Sequence, residues 1–384
     1  MTKDLVAAVK NESEKFLEYY LWLEKTMPSS FFEEVASESH LLITHSLMGF
    51  DLQDYFSLIN LKSAAIVMCL DSADADLRIL RHFEFYGIKN YQTYISQKPA
   101  PFAGIETPLR VATIEFMGAK ETIEGSLSEK NKAHLRQLVK QENPLITDVE
   151  FDQLLTEMGT PFLHALPSGR QALAMNMLYR AKTRDTCQYE VRYEKEWDEK
   201  KSASMHIVLA WRNTPKHNFL YRLAHVIHRH GLSMKRLNAT YTDPTSNQSI
   251  LIMAISLHGS NDQAVWDVAD IPDFLREIVT IKYFNTSDEI DKHLVSPHII
   301  SGNMGNLLRA MVDFIHQALV HVDSNLYTIE NTEEGLCRHP ELTQQLCEAF
   351  KLKFDPHHYH FDKYHEARKK FLNDLAQLDT GQEP

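Results

Sequence analysis

Chemistry in this chain has to come from its histidines and its scattered arginines and lysines. His225, His228 and His230 close one helical stretch, and His225 and His228 share a helix face at a spacing that zinc sites use. No carboxylate or cysteine lies nearby in sequence to complete a ligand set, and histidines at a helix C-terminus also complement its dipole. The segment DPHHYHFDKYH is denser in ligand atoms: His357, His358, His360 and His365 lie beside Asp355 and Asp362. His357, His358 and His360 are therefore the candidate metal ligands, with solvent exposure as their alternative fate. Arg170, Arg180, Arg236, Arg309 and Lys235 could hold a carboxylate, because a guanidinium fork matches one bidentately; a solvated surface is the competing role.

Motifs for other chemistries are missing. A nicotinamide site needs a glycine-rich turn from a buried strand into a helix, so that a pyrophosphate can approach the helix N-terminus. Gly302 and Gly305 form the only close glycine pair, without a third glycine or a preceding buried strand, and read as the loop and cap of a helix from Asn306. Ser168, in PSGR, lacks the nucleophile elbow, and Cys187 stands in a polar tract without a neighbouring histidine.

The elements that must position these residues follow from periodicity. Apolar residues recur at helical spacing over 13–25 and 29–50, giving two opening helices broken at Pro28. A buried strand over 64–70 (AAIVMCL) leads through Asp71 and Ser72 into a helix that Gly87 closes as a left-handed cap; strands over 90–96 and 109–116 follow. Helices are expected over 127–140 and 169–183, with a charged bridge over 185–201 holding a short strand at 188–193. From Met205 the pattern returns: MHIVLAW, a turn, a helix to His230 stopped by Gly231, then SMKRLNATY and SILIMAISLH as strands. A shift of 144 positions lays Ile79 on Leu223, Leu80 on Ala224, Phe83 on Ile227 and Gly87 on Gly231, as an internal duplication would. A helix over 264–279 and helices from Asn306, Pro340 and Tyr364 complete the chain, with Ser301 or Asn303 capping the first of these last three.

Strand, turn, Gly-stopped helix and two further strands resemble the ferredoxin-like ligand-binding modules called ACT domains. The stretch RNTPKHNFLYRLAHVIHRHGLSMKRLNATY is similar to their first turn, helix and second strand. The resemblance implies an amino-acid effector site at the first strand-to-helix turn, across paired modules. Asn213, Thr214 and Pro215 occupy that turn here, without the glycine the family carries. Two such modules followed by GNMGNLLRAMVDFIHQALVHVDSNLYT and CEAFKLKFDP resemble the N-terminal half of the large NAD-dependent glutamate dehydrogenases, of the Glu/Leu/Phe/Val dehydrogenase family. The resemblance runs from about Phe31 to the C-terminus and is most specific over 306–354. For the intact enzyme it implies oxidative deamination of glutamate to 2-oxoglutarate and ammonia with NAD. This chain ends before any Rossmann segment or catalytic lysine setting, so no catalytic or cofactor-binding residue is assigned to it and no cofactor is expected within it.

The expected fold is α+β: two ferredoxin-like modules with antiparallel sheets, flanked by helical segments. The expected organisation is 1–145 (helices and first module), 146–202 (bridge), 203–285 (second module) and 286–384 (a helical segment leading toward a catalytic region). A length of 384 residues and 43% hydrophobic content suit a folded protein of two or three domains. A net charge of −12 disfavours nucleic acid and anionic membranes as partners, which need clustered cations. The four dispersed cysteines, a charged N-terminus and the lack of an apolar run of about 18 residues point to a cytoplasmic location. The expected function is an N-terminal regulatory and oligomerisation region, homo-oligomeric, answering to an amino-acid effector and serving a C-terminal catalytic domain of the same polypeptide. The alternatives are a stand-alone ACT-type amino-acid sensor and a metal-dependent enzyme built on the histidines.

Overall fold

The computed structural model describes residues 3–49, 57–61, 63–102, 105–117, 127–193, 204–215, 217–243, 246, 248–259, 263–283 and 288–378. The chain divides into two compact units, Met1–Asp270 and Ile271–Pro384. The fold is α+β, and its strands form one open antiparallel sheet.

Helices α1 (Lys3–Thr26), α2 (Ser29–Glu34) and α3 (Ser37–Met48) open the first unit. The expected second helix is two, because Val35 and Ala36 are extended. That break lets Phe31 and the α3 residues Ile43 and Leu47 face one core. Strand β1 (Ser57–Asn60), for which the sequence gives no signal, precedes β2 (Ala64–Leu70), α4 (Ala75–His82), β3 (Ile88–Pro99) and β4 (Pro108–Phe116). Four helices follow: α5 (Glu129–Glu142), α6 (Asp148–Met158), α7 (Thr160–His164) and α8 (Ser168–Ala181). Then β5 (Gln188–Tyr193), β6 (Met205–Arg212), α9 (Phe219–Arg229), β7 (Leu232–Tyr241), β8 (Ile250–Gly259) and the short α10 (Val265–Val268) complete the unit.

Eight strands lie in the order β1-β2-β4-β3-β7-β8-β6-β5. The order is palindromic: each half contributes an added strand, then its first, third and second strands of a β-α-β-β run. The halves meet in one continuous sheet where β3 pairs with β7, rather than in two separate sheets. Gln92 pairs directly with Arg236 there, and these are positions that the shift of 144 equates. The seam therefore passes through a point about which the two halves are related by a local two-fold.

The closing glycines play different parts. Gly231 is left-handed, with φ of 70°, and a Cβ on it would lie 2.6 Å from Val268 Cγ1. Gly87 is not left-handed: α4 ends at His82, and Gly87 instead lets Met117 approach, a Cβ there meeting Met117 Cβ at 3.3 Å.

Both faces of the sheet are covered, in different ways. On one face lie α4 and α9, burying Ile79, Leu80, Leu223, Val226 and Ile227. On the other, α1–α3 cover Ile66, Met68, Tyr94, Leu109 and Val111 of the first half, while α5–α8 cover Val208, Ala210, Ile250, Ile252 and Ala254 of the second. Helix α8 is buried nearly all round, as its apolar run Ala172–Leu173–Ala174–Met175 requires. The two helical layers of this second face flank the seam.

The second unit holds α11 (Ile271–Ile278), a wide turn (Asp291–Val295), α12 (Gly302–Leu319), α13 (Ile329–Arg338), α14 (Pro340–Phe354) and α15 (Phe361–Leu375). Its core gathers Ile290, Leu294, Val295, Leu308, Val312 and Cys347. The expected helix over 264–279 is broken at Ala269, which is extended, and α12 begins at Gly302 with the Ser301 hydroxyl accepting from Met304 N.

Candidate functional site

Polar residues cross the seam in a row on the face that the helical layers flank. Gln92 of β3 pairs with Arg236 of β7, Arg236 with Ser256 of β8, and Ser256 with His206 of β6. Over this row lies a cavity of about 420 Å³, to which α2 adds Glu34 and α8 adds Arg170. Lys235 and His258 also line it. Its volume falls in the range of roughly 300–1,000 Å³ usual for small-molecule sites.

Lys235 and Arg236 are neighbours, and neighbours in a regular strand point to opposite faces. Both line this cavity because β7 carries a bulge between Met234 and Arg236, with Lys235 as the extra residue. The bulge is held from the opposite face of the sheet. Asp76 Oδ2 accepts from Met234 N at 3.0 Å, and the Thr93 hydroxyl donates to Met234 O at 3.0 Å. Asp76 Oδ1 in turn accepts from Arg110 Nη1 at 2.6 Å and from the Tyr91 hydroxyl at 2.6 Å, while Arg110 Nε reaches Asp71 at 2.7 Å. Arg110, Asp76 and Tyr91 are all buried. Burial works to lower the Arg110 pKa, but Asp76 and Asp71 hold it above its ordinary value; burial and then the Asp76 charge push the Tyr91 phenol well up. This network is charged at Arg110 and Tyr91 stays protonated, so the bulge has a fixed support.

At one end of the cavity Glu34 accepts from three donors: the Tyr94 hydroxyl at 3.0 Å, the Gln92 amide and the Arg236 guanidinium. Burial, and then the adjacent carboxylate, raise the Tyr94 pKa, keeping its proton available for Glu34. At the other end Arg170 Nη2 lies 3.0 Å from His206 Nε2 and Nη1 lies 3.3 Å from Ser256 Oγ. His206 Nδ1 lies 2.8 Å from the same Ser256 Oγ. A guanidinium only donates, so Nε2 must accept and Nδ1 must carry the proton, leaving His206 neutral. Ser256 Oγ therefore accepts from both Arg170 and His206. A nucleophilic serine needs the histidine to take its proton, and this one gives. The arrangement orients donors; it does not activate a nucleophile.

Of the five cations that could hold a carboxylate, the fold brings Arg170, Lys235 and Arg236 to this one cavity. Arg180 sits exposed in the last turn of α8. Arg309, in the second unit, is bound by Asp288, with Nη2 2.7 Å from Oδ1, and by Asn306 Oδ1 at 2.9 Å. His206, Ser256 and Glu34 escape a motif search. Their signal is periodicity: Ser256 and His258 are alternate polar residues on the end of an otherwise apolar strand.

The turn Asn213, Thr214, Pro215 lies at the far end of β6. Seven residues at about 3.3 Å each put it roughly 20 Å from His206. Its groups are engaged within the unit. Asn213, with φ of 53°, donates N–H to Ser249 O at 3.1 Å, the buried Thr214 hydroxyl donates to Trp211 O at 3.1 Å, and Pro215 O accepts from Tyr241 at 3.1 Å. Beside the turn, where Phe219, Leu220 and Tyr241 meet Ile88 and Met117, the free space is about 10 Å³, room for one water.

The histidine clusters have local partners. His228 Nδ1 lies 3.0 Å from Ala73 O, and His225 packs edge-on against Tyr221. His358 Nδ1 is 2.8 Å from Asp355 Oδ2, His357 N donates to Asp355 at 2.9 Å, His360 caps α15 and His365 packs on Phe361. Among the described residues no three His, Cys, Asp or Glu side chains come together in a metal-holding group. Ser168 is the exposed first residue of α8. Burial raises the Cys69 and Cys337 thiols to about 11 and Cys347 to about 12, so these three remain protonated.

The glycine pair of the second unit serves packing. A Cβ on Gly302 would collide with the buried Glu277 carboxylate, and one on Gly305 would lie 2.6 Å from Val295 Cγ2. Asn303 donates to Asp273 Oδ1 at 2.8 Å and Asn306 to Thr280 at 2.9 Å, fixing α12 against α11 and the turn that follows it. The residues do not fit a dinucleotide: a pyrophosphate at the start of α12 would meet the Glu277 carboxylate. Among the described residues no helix is long and apolar enough to cross a membrane. No family model matches this sequence, and no curated protein is similar to it.

Proposed function

We propose that the first unit is a regulatory region in which two ferredoxin-like modules pair side by side and bind a small effector at their seam. One observation carries this reading: Arg170, Lys235 and Arg236, from a helix of one layer and a bulged strand, converge on a cavity where the two halves meet. The neutral His206 and doubly accepting Ser256 favour binding over catalysis. Each half departs from the full ferredoxin-like order of β-α-β-β-α-β, since its outer strand precedes the run and, among the described residues, no second crossover helix returns to the same face.

On the resemblance in sequence, this region is the N-terminal regulatory and oligomerisation portion of a large cytoplasmic NAD-dependent glutamate dehydrogenase, with the catalytic domain in the same polypeptide. Exposed apolar side chains of the second unit, Phe314 at 73% and Val322 at 75%, support self-association there. Hydride transfer needs a placed nicotinamide, for which these residues offer no cradle. The purified chain is therefore expected to form no NADH from glutamate and NAD; measurable glutamate-dependent NADH would sink the reading.

A second reading, a stand-alone amino-acid sensor, is favoured by the described lining of the cavity, which lies within one unit. The DNA beyond codon 384 separates them. A continuing frame with a glycine-rich Rossmann segment supports the dehydrogenase, and a stop codon supports the sensor.

A further inference from the structure

We infer that the edge strand β5 is an interface between two copies of this chain, which pair there antiparallel about a two-fold through Val191. This goes beyond the regulatory reading and does not depend on it, since it involves neither the seam cavity nor the second unit. Strand β5 ends the strand order, and among the described residues it pairs with β6 alone. Its register with β6 runs without a bulge from Gln188 to Tyr193, so every second residue turns its backbone N–H and C=O away from β6. Edge strands are ordinarily protected by lysine, proline, a bulge or very short length. The run QYEVRY has none of the first three, and its six residues exceed the four of β1 at the opposite edge.

The strand is complementary to itself read backwards. Pairing two copies antiparallel with Val191 at the centre sets Val191 opposite Val191, Glu190 opposite Arg192 and Tyr189 opposite Tyr193. Each of the last two pairs occurs twice, as a two-fold interface requires. The faces agree. Glu190 and Arg192 point toward α5, where Arg192 Nη2 lies 3.3 Å from Glu190 Oε1 and 3.5 Å from Glu142 Oε1. Tyr193 points the other way, its ring 6.0 Å from that of Trp266 in α10, and alternation puts Tyr189 and Val191 on its face. One face of the pairing therefore carries opposite charges and the other carries aromatic pairs flanking valine, and both kinds of pair stabilise directly opposed strands.

The charges also select the register. Moving the centre one residue either way sets Glu190 against Glu190 or Arg192 against Arg192, and like charges directly opposite are destabilising. The side chains are accessible to a partner: Arg192 is 57% exposed, Tyr189 39% and Tyr193 41%. Both contacts that Arg192 makes engage Nη2, and a guanidinium has further N–H donors for a second copy's Glu190.

The test is sedimentation velocity of the full chain across a concentration series, where a reversible dimer is expected. Glu190→Arg and Arg192→Glu each set like charges opposite one another twice, and each is expected to raise the dimer dissociation constant at least about tenfold. An equimolar mixture of the two variants is expected to recover the dimer, because two cations on one strand then face two carboxylates on the other. That recovery cannot come from repair within a chain, since the pair between positions 190 and 192 stays broken in both variants. Thermal unfolding of each variant shows that it is folded. A chain that stays monomeric throughout, single variants that associate as tightly as the unaltered chain, or a mixture that associates no better than either variant overturns the inference. An association that Phe314→Glu abolishes and both β5 variants leave intact belongs to the second unit and overturns it as well.

Discussion

At the scale of single residues, Asp76 is the side chain on which the site depends without being part of it. It sits on the α4 and α9 side of the sheet and reaches three elements: β3 through Tyr91, β4 through Arg110 and β7 through Met234 N. Removing it leaves a buried guanidinium with Asp71 alone and a buried amide with no acceptor. Asp76→Ala is expected to destabilise the protein by about 3–5 kcal/mol, the usual cost of breaking a buried pair from one side. Urea denaturation measures it, and a loss under 1 kcal/mol would show that the network does not hold the bulge. Little of this is visible in sequence. Asp76 and Arg110 are 34 positions apart, and a β-bulge leaves no mark in the run SMKRLNATY. Lys235 and Arg236 read there as one residue inward and one outward, whereas the bulge brings both to the cavity.

Among the elements, periodicity located most strands and the strongest helices, because apolar alternation and helical spacing report the buried face directly. It failed where a break carries the information. The extended pair Val35–Ala36 contains neither glycine nor proline, so the helix expected over 29–50 is two, and the helix expected over 264–279 breaks at the extended Ala269, three residues ahead of Pro272, which suits the first turn of α11 and not a helix interior. Helix α6 carries no clear apolar period, although its start is a full capping box: Thr147 Oγ1 accepts from Glu150 N at 3.2 Å and Glu150 accepts from Thr147 N at 2.8 Å. Ion pairs from α5 reinforce that start, Lys140 to Asp148 at 2.7 Å and Lys132 to Asp152 at 2.9 Å.

These partners set a pH dependence at the start of α6. The Thr147 backbone amide holds the Glu150 carboxyl below its ordinary 4.5, and the Lys140 and Lys132 hydrogen bonds hold Asp148 and Asp152 below 3.8. A carboxyl depressed in the folded state stabilises above its unfolded pKa and loses that contribution as pH falls through the folded one. The contribution of these three is thus complete above about pH 5 and fades through pH 4 and below. Thr147→Val is expected to cost about 1 kcal/mol at pH 7. Thermal unfolding should show that penalty shrinking on acidification to pH 3; a penalty independent of pH would contradict the role given to Glu150.

For the whole molecule, the repeated β-α-β-β order was legible and its consequence was not. The match of Ile79, Leu80 and Phe83 to Leu223, Ala224 and Ile227 reports two helices packed alike, and the pairing of Gln92 with Arg236 shows those halves meeting at an equated position. Sequence could not show that the halves share one sheet, because strand partners across a seam have no local signature. Nor could it show that the polar row survives on one side only, since Ile66 stands three strands out from the seam in the first half where His206 stands in the second. The resemblance to ACT domains points to the turn at Asn213, while the open space lies roughly 20 Å away along β6.

The central claim, that the seam is where this molecule binds its ligand, is tested most directly by amide hydrogen exchange on the full chain with and without excess succinate. Protection is predicted in β3 around Gln92, in β7 around the Met234–Arg236 bulge, at the start of β6 and at the end of β8. Protection confined to the turn at 213–215 and the neighbouring end of β7, or no change anywhere in the sheet, would contradict it.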